Sequence, residues 1–110
     1  MFALALVLAI VNWYGPNAYH GHIVSSGQPC PAITQFEGSG GSYTFTYLDR
    51  VYNGKLTNCV RDRNKRRCTW NDDYGSGDVS FTFSPDENIF QGEWREPKNQ
   101  KGWGWTGRRQ

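Results

Sequence analysis

The chain has 110 residues, enough for one domain, and its 12 basic against 10 acidic side chains leave a net charge of only +2. That near-balance excludes the strongly basic face of a dedicated nucleic-acid binder. An aromatic content of 15% excludes a disordered chain, and the small size makes each buried ring count.

The N-terminus opens on an unbroken apolar run from Phe2 to Val11 that includes Leu4, Leu6, Val7, Leu8 and Ile10. About ten apolar residues match the central region of a signal peptide and fall short of the ~20 needed to span a bilayer. Residues 1–18 therefore read as a leader rather than a stable membrane span, and the protein as secreted and extracellular. Residues 19–41 read as an irregular lead-in, broken by Pro29 and Pro31 and closed by Gly38-Ser39-Gly40-Gly41. No Lys-Ser/Thr follows that glycine cluster, so it is not a phosphate loop. His20-Gly21-His22 offers two imidazoles where a zinc or copper site needs three or four ligands. Asp72, Asp73 and Asp78 lack the spacing of a calcium loop. Neither metal nor cofactor is expected.

From residue 42 to 110 the dominant signal is alternation. Tyr43, Phe45 and Tyr47 lie two apart, as do Val79, Phe81 and Phe83, then Phe90, Gly92 and Trp94, then Trp103 and Trp105. A period of two places each set on one face of a strand. The expected strands are 42–52, 55–61, 66–71, 78–84, 89–95 and 102–108. Asn53-Gly54 predicts a type I′ turn after the first strand. Arg63-Asn64 centres the next turn, Asn71 to Gly77 reads as a loop, and Pro85 to Asn88 as a type I turn. The fold class is all-β: a small antiparallel up-and-down meander of about six strands, forming a partial or closed barrel. Phe81, Phe83, Phe90, Trp94, Trp103 and Trp105 make an aromatic face that is either core or ligand cage.

Cys59 and Cys68 flank the Arg63-Asn64 turn. A two-residue loop sets them opposite each other, within reach of a cross-strand disulfide, and this pairing is favoured. It conflicts with a register one residue longer, which gathers Leu56, Val60, Cys68 and Trp70 inside and frees Cys59 to meet Cys30. With Cys59–Cys68 formed, Cys30 is the odd thiol. Its place between two prolines predicts an accessible segment and an intermolecular disulfide, giving a covalent homodimer or attachment to a matrix partner.

The same turn carries Arg61, Arg63, Lys65, Arg66 and Arg67. Five cations on one hairpin tip suit an anionic glycan or an acidic matrix protein, although a solvated turn has the same composition. No Gly-x-Ser-x-Gly is present, and the carboxylates lie mostly in turns where water explains them. No catalytic residues are assigned, and the protein is not expected to be an enzyme.

Phe81-x-Phe83-Ser84-x-Asp86, Phe90-x-Gly92-x-Trp94 and Trp103-x-Trp105-x-Gly107-Arg108 together resemble the strand pattern of small secreted lipocalin-like and avidin-like β-barrel modules, over residues 43–108. The resemblance implies a barrel in which a glycine between two aromatics lets neighbouring rings pack across strands. The expected role is a non-enzymatic structural or binding component of an extracellular matrix or secretion. The alternative is a carrier for a small ligand or glycan in an aromatic-lined pocket.

Overall fold

A computed structural model describes residues 17–99 and 101–109. The apolar run Phe2 to Val11, read above as a leader, lies outside the described residues. Eight strands follow in order: β1 Ala18–Ser25, β2 Gln28–Glu37, β3 Gly40–Tyr47, β4 Arg50–Asp62, β5 Lys65–Asp72, β6 Gly75–Phe83, β7 Ile89–Arg95 and β8 Trp103–Arg109. Each pairs antiparallel with the next, and β8 returns to pair with β1, closing an up-and-down barrel. Among the described residues no helix is long and apolar enough to cross a membrane.

The all-β antiparallel barrel is as the alternation predicts, with eight strands rather than six. The extra two are β1 and β2, so the irregular lead-in expected over 19–41 is corrected to a hairpin. Its turn is Ser26-Gly27, at φ 52° and 76°, the pair of left-handed residues that a type I′ turn requires. Tyr19 and Ile23 on β1, and Cys30, Ala32, Thr34 and Phe36 on β2, supply the inward faces. Pro29 and Pro31 are tolerated because that stretch of β2 pairs with β1 alone. The β3 ladder begins at Ala32 opposite Phe45, so the missing N–H groups leave no bond unmade on that side. Cys30, expected to be accessible, is instead 3% exposed, and its thiol donates to the Gln28 carbonyl at 3.5 Å. Burial pushes the Cys30 thiol up from its ordinary range. The accessibility on which an intermolecular disulfide depended is therefore absent.

Asn53-Gly54 is not a turn. Both residues lie within β4, and the turn from β3 is Leu48-Asp49, at φ 50° and 63°. Gly54 serves packing instead. It faces Tyr43 across the β3–β4 ladder, and a Cβ there would stand 2.1 Å from the tyrosine ring. The same pairing recurs around the barrel: Phe36 faces Gly41, Trp70 faces Gly77, Phe81 faces Gly92 and Phe90 faces Gly107. A ring laid over a cross-strand glycine covers its backbone and gives the barrel room for its filling. The Asn71 to Gly77 loop likewise shrinks to Asp73-Tyr74, with the rest taken into β5 and β6.

Of the two competing cysteine registers, the one that sets Cys59 against Cys68 holds at the tip, the longer one is not adopted, and a β-bulge shifts the pairing beyond the disulfide in the other sense. Near the tip Val60 opposes Arg67 and Arg61 opposes Arg66, as a two-residue turn dictates. Beyond the bulge Leu56 opposes Trp70 and Thr57 opposes Thr69. Asn58, at φ 51°, absorbs the extra residue. Cys59 and Cys68 meet at the bulge in a disulfide with their Cα atoms 4.1 Å apart. Val60, placed inside by the alternative register, is 67% exposed. The sequence separation of 9 closes a short loop. Reduction, or a Cys59→Ser/Cys68→Ser double change, should lower the unfolding free energy by roughly 2.5–3 kcal/mol. Chemical denaturation with and without reductant measures this, and superimposable curves would refute it.

The core is a web of rings. Phe81 stands edge-on to Phe36, Phe90 and Trp105 at 5.0, 5.0 and 5.1 Å, and Trp105 continues to Tyr43 at 4.7 Å. Such edge-to-face pairs add to the gain from burial alone. The Trp105 indole donates to Thr34 Oγ1 at 2.9 Å, so this buried hydroxyl of the core is paired. Phe81, Phe83, Phe90 and Trp105 are buried as the alternation predicts. Trp94 and Trp103 are only half-buried, a correction to the uniform face. Trp94 packs against Trp70 and donates to the Val24 carbonyl, while Trp103 lies at the rim under Lys101.

Candidate functional site at the basic barrel mouth

The β4–β5 turn, the β6–β7 loop, the start of β1 and the end of β8 meet at one mouth of the barrel. The cations of the tip arrive there on different faces. Successive residues of a strand point to opposite sides, so Arg66 turns inward while Lys65 and Arg67 turn outward. The Arg66 guanidinium sits over the Phe36 ring at 4.7 Å and near Phe83 at 5.9 Å. Lys65 and Arg67 instead join Asp62, Asp78 and Arg95 around a shallow concavity of about 1290 Å³ on the outer face of the sheet. Arg63 is exposed in the turn, and Arg61, also exposed, reaches across to the β6–β7 loop. The five-residue tip is thus a mouth group, Arg61 and Arg66, and an outer group.

A further cation joins from the far end of the chain. Arg109 opposes Tyr19 across the β1–β8 seam, with its guanidinium 5.2 Å from the tyrosine ring and Nη2 donating to the Tyr19 hydroxyl at 2.8 Å. In the sequence Arg108-Arg109 reads either as an addition to the tip's patch or as a polar tail, and the structure brings Arg109 to the mouth, where it continues the inward period of Trp103, Trp105 and Gly107. The rings of Tyr19, Phe36 and Phe83 lie 5.5–5.8 Å from one another, so Arg66 and Arg109 stack on one aromatic floor. Cations over aromatic faces are held by the ring quadrupole while keeping N–H groups free at their edges.

The β6–β7 loop supplies one carboxylate to this group. Glu87 Oε2 accepts from Arg61 Nη2 at 2.8 Å. That hydrogen bond holds the Glu87 carboxyl below the ordinary range, and the charges of Arg61, Arg109 and Arg66 add to it. Arg66 is pushed down, first by burial and then by repulsion from Arg61. The loop itself is built by Asp86, whose carboxylate takes the Ser84 hydroxyl at 2.7 Å and the Asn88 N–H at 3.0 Å. Those bonds hold the Asp86 carboxyl low as well. Glu87 is thereby left at φ 60°, with its carbonyl accepting from the Tyr19 hydroxyl at 2.6 Å.

The opposite mouth is aromatic. Tyr52 stacks on Phe45 at 5.2 Å and meets the exposed Tyr74 at 5.1 Å, and Leu48 and Val51 beside them are exposed. The hydrogen bond with Tyr52, with some desolvation, pushes the Tyr74 phenol up to about 12. Tyr43 donates to Asp72 Oδ2 at 2.6 Å, and burial followed by that carboxylate drives its phenol well above the ordinary range. His20 and His22 lie on β1 between the inward positions. Among the described residues no three His, Cys, Asp or Glu side chains gather as metal ligands. No family model, curated protein or solved structure matches the chain.

Proposed function

We propose that this barrel is a secreted, non-enzymatic binding or structural component of an extracellular matrix or secretion, and that its basic mouth takes an anionic partner, an anionic glycan or an acidic matrix protein. The observation that carries this reading is the gathering of Arg61, Arg66 and Arg109 at one mouth, where Arg66 and Arg109 stack on the floor rings and Arg61 alone pairs with a carboxylate, Glu87. Outside that cluster Arg63, Lys65 and Arg67 extend the positive surface, which steers a polyanion toward the mouth. The Cys59–Cys68 disulfide suits an oxidising compartment. The aromatic side chains favour a filled interior over a carrier's pocket, because Phe81, Phe90 and Trp105 occupy it ring against ring.

Arg63, Lys65 and Arg67 are exposed, so changing all three to Ser should leave the melting temperature nearly unaltered. The same change should release the protein from a heparin column at markedly lower salt than the parent, because fewer cations displace counterions from the polyanion. Equal elution of parent and variant would overturn the reading. Arg66 is left out of this variant because it packs on the core rings.

A further inference from the structure

The β6–β7 loop lays one carboxylate among three guanidiniums, and that carboxylate does not satisfy them. Glu87 is engaged by Arg61. Among the described residues Arg109 Nε is buried without an acceptor. Arg66 has ring faces and charged neighbours at the mouth but no hydrogen-bond acceptor among the described residues. A buried donor left unpaired is costly, and a charged one more so. The loop is also held in a conformation that disfavours it, since Glu87 sits in the left-handed region where a residue with a Cβ is strained. The Arg61–Glu87 pair is open to solvent, with side chains 45% and 42% exposed, so exchange of its anion needs no opening of the core.

We propose that the barrel mouth is an oxyanion site in which Glu87 is an intramolecular stand-in, displaced by a sulfate or phosphate monoester that is then held by Arg61, Arg66 and Arg109. This rests on the anionic-partner reading above and names the group recognised. A tetrahedral oxyanion offers three acceptor oxygens to three forks, where a carboxylate offers two to one. Arg109 is tied to the loop through Tyr19, whose hydroxyl accepts from Arg109 Nη2 and donates to the Glu87 carbonyl. Displacement therefore carries the Glu87 backbone with it, breaking the Tyr19 hydroxyl's bond to the Glu87 carbonyl and releasing the positive φ. The ester group is borne by a glycan or supplied as the free ion, and the two sources are separable.

The test is titration of the full chain with inorganic sulfate and, separately, with a sulfated heparin-derived disaccharide, followed through the arginine Nε–H resonances. The Arg66 and Arg109 signals should shift on saturation. Glu87→Gln should bind roughly tenfold tighter, because the competing carboxylate is gone, and Arg66→Gln roughly tenfold weaker. Arg66→Lys, which keeps the charge without the fork, guards against a folding defect and should fall between parent and Arg66→Gln. Unchanged affinity in Glu87→Gln, or shifts confined to Arg63 and Arg67, would overturn the proposal while leaving heparin retention to decide the broader reading. Binding of sulfate without the disaccharide would support the site as one for a free ion and count against the glycan partner.

Discussion

Truncation of Phe81 to Ala should destabilise the barrel by roughly 3–5 kcal/mol, a large share of the ~5–15 kcal/mol that a domain holds in total. Phe81 is fully buried, at 0% exposure, and stands edge-on to Phe36, Phe90 and Trp105. It also lies over Gly92, whose missing side chain cannot fill the space left behind. The cavity would open where three rings meet, and none can move without losing its other partners. Thermal melting should show the variant largely unfolded or shifted by tens of degrees. A melting point within a degree or two of the parent would show that these rings are not the core. Trp94→Ala should cost less, because that ring is half-buried and its indole bonds at the rim to the Val24 carbonyl.

Two changes around the β3–β4 turn should act with opposite signs. Gly54→Ala drives a methyl into the Tyr43 ring, which cannot retreat because its hydroxyl is fixed on Asp72. Overpacking of this kind costs roughly 1–3 kcal/mol. Leu48→Asn with Asp49→Gly puts residues that favour the left-handed region where the backbone already adopts it, and removes an exposed leucine. That double change should stabilise by roughly 1–2 kcal/mol. Denaturant midpoints of both variants decide the matter. If Asn53-Gly54 were the turn, the Leu48/Asp49 change would do nothing.

Where strands carry rings at every second position, the sequence is legible. Ile89 to Arg95 is read with the same bounds as the structure has. The β1–β2 hairpin is not legible, because its inward positions hold Gly21, Ala32 and Thr34 as well as rings, and because the prolines sit where one neighbouring strand is missing. Asn53-Gly54 misleads because a glycine that makes room for a ring looks the same in sequence as one that turns the chain. The cysteine pairing is readable in its partners but not in its register, since a bulge is a tertiary compromise between the turn and the core. Of the mouth, the cations on the tip are visible. Arg109 is visible only as one of two C-terminal arginines that either join the patch or form a polar tail, and Glu87 not at all, because only barrel closure brings them to Arg61 and Arg66.

The β1–β8 seam has a consequence for how this chain reaches its native state. Every other strand pairs with a sequence neighbour through a short connection, so seven ladders can form as local hairpins while synthesis proceeds. The last ladder joins Tyr19 to Arg109 and must await nearly the whole length of the chain. Loop closure of that span is the largest single entropic cost in the topology and should set the folding rate. Until β8 arrives, β1 carries an unpaired row of backbone donors and acceptors, an open template for another nascent chain. The Arg109–Tyr19 stack therefore seals the edge through which this barrel would otherwise aggregate.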